Sequence, residues 1–139
     1  MIVLDTNVIS ETMRRKPDGA VVAWLDSQLP NDLYLCAPVL AELNYGIALL
    51  EASERKTVLW NLCREMVTNV FDGRILAFDA AAAEAYGTLV ASRKMSGSTI
   101  SVMDALIAAI VKSNYATLAT RNMSDFREIG LALVNPFGT

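Results

Sequence analysis

The sequence predicts an α/β fold: a short parallel central sheet sandwiched between long covering helices. Three observations predict it. Short apolar runs alternate with longer helical segments, the pattern of strands joined by helical crossovers. Those runs are apolar throughout, so both faces of the sheet must be covered. The 139 residues are 53% hydrophobic, yet no apolar run reaches the roughly 18–20 residues of a membrane span. A chain of this length is expected to form one domain over residues 1–139, burying about two-thirds of the surface its unfolded form exposes.

Met1–Leu4 reads as the first buried strand, and a short helix follows at once, through Ile9 to Met13. Arg14, Arg15, Lys16, Pro17, Asp18 and Gly19 form a basic turn. Ala20–Leu29 reads as a helix, stopped by Pro30-Asn31-Asp32. Leu33–Ala37 is the second strand, and Pro38 suits the first turn of the next helix, where its missing N–H costs nothing. From Arg55 to Phe71, apolar residues at 58, 59, 62, 63, 66, 67, 70 and 71 give the stripe of one amphipathic helix. After Asp72-Gly73 comes a strand at Ile75–Phe78, then an alanine-rich helix capped by Asp79 and ending near Met95. A loop at Ser96-Gly97-Ser98 precedes a helix over Ser101–Ser113. Thr117–Ala119 reads as a strand, Ser124–Glu128 as a helical turn, and Ala132–Val134 as the last strand.

Composition removes several function classes. The chain has no histidine, which excludes Ser-His-Asp and Cys-His nucleophilic catalysis and His-ligated zinc. Cys36 and Cys63 form no CxxC and sit among apolar neighbours, as reduced buried thiols do. Met1–Ser10 has an acid at position 5 and no basic n-region, unlike a secretory signal, so a soluble, cytoplasmic protein is expected. A net charge of −3 argues against one large basic nucleic-acid surface, though bound divalent ions invert the local sign.

Four acids stand where ordinary surface charges do not. Asp5 ends the first strand in MIVLDTNVIS; Glu42 lies in APVLAELNYGI, one turn into the helix after the second strand. Asp104 lies in the nearly uncharged ISVMDALIAAIV, and Asp125 in ATRNMSDF beyond the fourth strand. Ligands of parallel sheets gather beyond the carboxyl ends of the strands, where all four can project. Glu51, Glu54, Glu65, Glu84 and Glu128 look like solvent-facing or loop charges instead. Each of the four also has a purely structural reading. Ser101-Val-Met-Asp104 and Asn122-Met-Ser-Asp125 fit helix-capping templates, Thr6 or Asn7 could cap the first helix, and Glu42 could pair with an arginine. Carboxylates about 4–5 Å apart repel by roughly 3–4 kcal/mol per pair at an effective dielectric near 20, so a cluster must protonate or bind a cation. Oxygen ligands without histidine or thiolate favour Mg²⁺ or Mn²⁺, and a water on such an ion can attack a phosphodiester.

The spread of LDTNVI, AEL on an apolar helix, MDALIAA and ATRNMSDF resembles the PIN-domain family. More narrowly it is similar to the VapC toxins of bacterial type II toxin–antitoxin pairs, and the length and the NPF near the end look like their FitB-type branch. The resemblance covers essentially the whole chain. It implies a PIN-like three-layer α/β/α sandwich and a Mg²⁺- or Mn²⁺-dependent endoribonuclease. Asp5, Glu42 and Asp104 are then the implied metal ligands, with Asn122 or Asp125 in the fourth position. Some family members place an acid where Asn122 stands, so a neutral Asn weakens that ligand. Thr6, Asn7, Ser101 and Thr120 are implied supports that orient ligands, water or phosphate. Arg121 suits either a phosphate or an exposed salt bridge, and the Arg14-Arg15-Lys16 turn either solvent or RNA backbone. The resemblance further implies a homodimer held in check by a small, DNA-binding antitoxin, in higher assemblies as well. Apolar residues at 21, 22, 24, 25, 40, 43, 45, 47, 49 and 50 offer surface for such contacts, or simply fill the core.

Three other readings compete. A haloacid-dehalogenase-type phosphatase also begins with a strand ending in Asp, but needs a second acid where Asn7 stands. A phosphorylation receiver domain needs an adjacent acidic pair that is absent. A catalytically weak or inactive interaction module on the same fold is favoured only by Asn122.

Overall fold

The computed structural model describes residues 1–138. Five strands, β1 (Ile2–Leu4), β2 (Leu33–Cys36), β3 (Ile75–Leu76), β4 (Thr117–Ala119) and β5 (Ala132–Val134), form one sheet in the order β3-β2-β1-β4-β5. All pairings among them are parallel. Around the sheet lie α1 (Thr6–Thr12), α2 (Gly19–Asp26), α3 (Ala37–Ala48), α4 (Glu54–Glu65), α5 (Ala80–Met95), α6 (Val102–Ser113) and α7 (Met123–Phe126).

Strand order sets the layers. The chain steps from β1 to β2 to β3 in one direction, then returns across the sheet to β4 and β5. Right-handed crossovers running in opposite directions put their helices on opposite faces. So α1 to α4 cover one face and α5 to α7 the other, consistent with α1 packing on α2 and α3, and α6 on α5 and α7. The expected three-layer sandwich is the observed one. Val3, Leu4, Leu35 and Leu118 of the strands are fully buried between the layers with Val8, Val39, Ile107 and Ile110 of the helices. At about 25 cal/mol per Å² of apolar surface removed from water, such side chains supply most of the drive to fold.

Several element bounds differ from the sequence reading, each for a local reason. The second strand stops at Cys36, because Ala37 already has helical backbone and Pro38 sits at the start of α3. The expected continuous helix to Phe71 breaks: α4 ends at Glu65 and a π-helical turn spans Met66–Val70. The Phe71 N–H reaches the Met66 carbonyl at 2.8 Å, a five-residue step that widens the turn and swings Phe71 into the core. Val58, Leu62, Val67 and Val70 of the apolar stripe are exposed. The third strand keeps only Ile75–Leu76, the two residues that pair with β2. The second helix likewise ends at Asp26, three residues before Leu29, which is 70% exposed.

Of the apolar residues in α2, α3 and the turn after α3, Val21, Leu43 and Ile47 belong to the core, while Val22, Tyr45, Leu49 and Leu50 face outward. The excess over the core is real. Both cysteines are free and buried, and burial pushes the Cys36 thiol up to about 12. Among the described residues no helix is long and apolar enough to cross a membrane.

Candidate active site

The two strands that flank the reversal of strand order, β1 and β4, each end in a buried polar residue. Asp5 follows β1 and is 4% exposed; Thr120 follows β4 and is fully buried. In doubly wound sheets the crevice at this reversal is where ligands bind. The Asp5 N–H still bonds to the Ala119 carbonyl at 2.9 Å, so the ladder extends one residue into the crevice and fixes the Asp5 backbone.

Three donors converge on the Asp5 carboxylate. The Thr6 N–H donates to Oδ1 at 2.8 Å, while the Thr120 hydroxyl and the Asn7 amide donate to Oδ2 at 2.7 and 3.2 Å. Asp5 is therefore itself the cap of α1, the role the sequence reading offered to Thr6 or Asn7. Asn7 accepts the Arg121 N–H at 3.0 Å through its other amide atom, and Thr120 accepts the Asn122 N–H at 3.0 Å. This network ties the β1–α1 corner to the loop after β4. Glu42, on the second turn of α3, accepts the Thr6 hydroxyl at 2.6 Å. It thus pairs with no arginine: Glu11 is the acid in both described salt bridges.

Asp104 lies in the first turn of α6, whose cap is Ser101; the Ser101 hydroxyl accepts the Asp104 N–H at 3.1 Å. The expected capping function of Ser101 is thus present, and Asp104 sits at the positive end of the helix dipole. The parallel template at Asn122 does not form, because the Asn122 side chain makes no cap bond to α7. Asn122 and Asp125 are both exposed, as are the five acids expected to be bland.

The electrostatics link these acids. Burial raises the Asp5 carboxyl above its usual range; the bonds from Thr120, Thr6 and Asn7 oppose the rise, and the charge on Glu42 adds to it. Burial also raises Asp104, opposed by Ser101 and reinforced by the charges on Asp5 and Asp125. Asp5 is thus linked to Glu42 and to Asp104, and Asp104 to Asp125. Among the described residues, however, no three carboxylates or thiols are grouped closely enough to grip an ion at once. Asp5 is turned toward Thr120 and Asn7, and Glu42 toward Thr6. The donor set is all oxygen and paired with no cation in either described salt bridge, which fits a hard divalent ion.

One acid escaped the sequence reading. Glu11, 5% exposed, accepts the Asp18 N–H at 3.1 Å and two bonds from Arg14 at 3.3 Å, and faces Arg121 at 3.9 Å. Its only signal in the sequence was an i,i+3 partner in Arg14, which is also the pattern of an ordinary surface pair. Arg121 in turn lies over the Phe137 ring, 3.8 Å from its centre, so the guanidinium is held between Glu11 and the NPF segment.

A family model described as PIN domain matches residues 2–131. The chain belongs to the PIN-domain family. Among PIN-domain proteins it is 43% identical to a VapC ribonuclease, Y4jK, of Sinorhizobium fredii over 137 residues, covering 99% of this chain and 98% of that one. It is 42% identical to toxin FitB of Neisseria gonorrhoeae, covering 99% of both. The crystal structure of FitAcB from Neisseria gonorrhoeae superposes on this PIN domain with a TM-score of 0.93, at 42% identity and 100% coverage of both chains.

Proposed function

We propose that this PIN domain, one domain over residues 1–139, is the toxin of a type II toxin–antitoxin pair: a metal-dependent endoribonuclease that hydrolyses RNA phosphodiester bonds. The observation that carries the proposal is the buried Asp5 carboxylate, held by three donors beside Glu42, with neither acid in a salt bridge among the described residues. The names of the relatives, a VapC ribonuclease and a FitB toxin, support the substrate class and the biological role. Similar complexes include FitAB bound to a DNA fragment, which supports a DNA-binding antitoxin as partner; a homodimer and a cytoplasmic location complete the reading.

Asp5, Glu42 and Asp104 would hold Mg²⁺ or Mn²⁺, with Asp125 or Asn122 as the fourth ligand. The ion would supply an activated water and offset charge on the phosphoryl oxygens. Thr120, Asn7 and the Thr6 N–H fix the orientation of Asp5, so its free lone pairs face the crevice. Thr6 links that corner to Glu42 through its hydroxyl. Arg121, anchored on Phe137, offers its remaining donors to a phosphate at the crevice rim. The phosphatase reading loses its second acid, because the Asn7 amide is spent between Asp5 and the Arg121 backbone. The spaced carboxylates and the exposed Asn122 favour a second reading, a weak or inactive interaction module.

Incubation of the chain with structured RNA and Mg²⁺ or Mn²⁺, with and without EDTA, separates the two. Cleavage that EDTA stops and that Asp5→Asn and Asp104→Asn abolish is expected. Metal-independent cleavage, or full activity in both variants, contradicts the nuclease; intact RNA under every condition selects the inactive module.

A further inference from the structure

A cleft of about 350 Å³ opens directly beside the acidic crevice, with Thr6 and Glu42 at one end and Arg14 and Arg55 at the other. Its walls are apolar: Met13, Leu43, Ile47, Leu50 and Leu59. Arg14 and Arg55 also line a second, open depression together with Arg15 and Lys16. The two depressions therefore adjoin at Arg14 and Arg55. The path runs from a carboxylate site, through an apolar slot, to four of the chain's 12 lysines and arginines. This concentration of positive charge stands out in a chain with a net charge of −3.

Local structure holds the cationic end in place. Arg55, in the first turn of α4, donates to the Met13 carbonyl at 2.5 Å and so caps the end of α1. Arg14 is braced by the buried Glu11. Arg15 and Lys16 are exposed, and neither described salt bridge involves them. Two cations are thus fixed by protein partners and two are open to a ligand.

We infer that this path is the track for single-stranded RNA flanking the cut, with a base in the apolar slot and the following phosphates on Arg14, Arg15, Lys16 and Arg55. The inference rests on the nuclease reading for what happens at the acids. Charge complementarity selects the occupant, since a polyanion with apolar bases matches a slot that is apolar in its middle and cationic at its end. Grooves that track single strands combine these two features. The volume is that of a small-ligand site, enough for a nucleotide and too small for a duplex.

Two variants test the track without touching the acids. Arg15→Glu/Lys16→Glu reverses the open charges. Gly46→Leu fills the slot from the exposed side of α3, where a Cβ meets nothing within 4 Å and the fold has room for it. Binding is read by fluorescence anisotropy of labelled oligouridylates of about 12 and about three nucleotides, in EDTA, across a salt series. For the longer probe the charge reversal is expected to weaken binding about tenfold or more at low salt. It should also reduce the salt slope by about 1.4, the value for two lost phosphate contacts on a single strand. Gly46→Leu is expected to weaken the longer probe several-fold with no loss in melting temperature, and the three-nucleotide probe is expected to bind the charge-reversed variant as it binds wild type. Wild-type affinity for the longer probe in both variants overturns the track. So does unchanged RNA binding together with lost affinity for the co-expressed antitoxin, which makes the path a protein-binding surface. A wild-type chain that binds the longer probe through this path but never cuts RNA overturns the nuclease reading and leaves the track standing.

Discussion

Asp5 and Asp104 are both acids in the opening turn of a helix beside one crevice, yet they are held in different ways. Asp5 is enclosed: three donors fix its carboxylate, and two of them, Asn7 and Thr120, are themselves fixed by the Arg121 and Asn122 backbone N–H groups. Asp104 is half-buried; its backbone N–H reaches the Ser101 hydroxyl, and Ser101 is the one side chain that favours its charged form. The Asn122–Asp125 side is looser again, exposed and without a side-chain cap. The contrast teaches that one corner of the crevice is preorganised while the other is left open. It also explains how a set of acids can sense one another electrostatically while no three are grouped.

The largest expected effect comes from removing a carboxylate from either corner. Asp5→Asn and Asp104→Asn should each lower RNA cleavage by more than about 100-fold, beyond the range seen for residues that merely orient a ligand. Single-turnover cleavage measures it. If Asp104→Asn keeps near-full activity, the looser corner plays no part and the contrast collapses.

Thr120→Val should come next, and it acts on the enclosed corner alone. The buried carboxylate loses its shortest hydrogen bond, at 2.7 Å, and the Asn122 N–H loses its acceptor. A cost of about 1–3 kcal/mol in denaturant unfolding is expected, with activity down about 10–100-fold. Ser101→Ala, its counterpart at Asp104, should cost about 1 kcal/mol as a lost helix cap, with a smaller loss of activity.

A third difference lies in the pH dependence of the metal-free chain. Burial raises the folded Asp5 carboxyl above its unfolded value, so the group's stabilising contribution is complete below the unfolded value and is lost as pH rises through the folded one. Metal-free Asp5→Asn should therefore melt above wild type at neutral pH, and the gap should close as pH falls into the carboxylate range. Thermal melts across pH in EDTA check the sign. A gap that widens in acid would contradict it.

The smallest effect is expected on the exposed side. Asn122→Asp should strengthen Mn²⁺ binding a few-fold with no change in melting temperature in EDTA, because Asn122 is solvated and caps nothing.

Much of this contrast was legible in the sequence. Asp5 is conspicuous because a charge directly follows a buried three-residue strand, and Asp104 because its helix is otherwise apolar. Periodicity found the strands and helices, since burial on both sheet faces leaves strands uniformly apolar. What the sequence could not reveal depends on tertiary packing. The π turn at Met66–Val70 looks identical to a continuing helix by residue type. Glu11 reads as a surface acid, and only the meeting of α1, the 14–18 turn and Arg121 buries it. Arg55 is one cation of α4 until the fold sets it against Met13 and beside the basic turn. The Asn122 template failed because the Asn122 side chain makes no cap bond to α7, which residue spacing alone does not reveal.

The most direct test of the central claim, that the enclosed and the open corner hold one ion between them, is a Mn²⁺ titration by calorimetry. It would use wild type, Asp5→Asn, Asp104→Asn and the double variant. The predicted result is one binding event in wild type that each single substitution weakens strongly, with the double variant no weaker than the worse single. Wild-type Mn²⁺ affinity in either single variant, or losses that simply add, would mean that Asp5 and Asp104 do not share an ion.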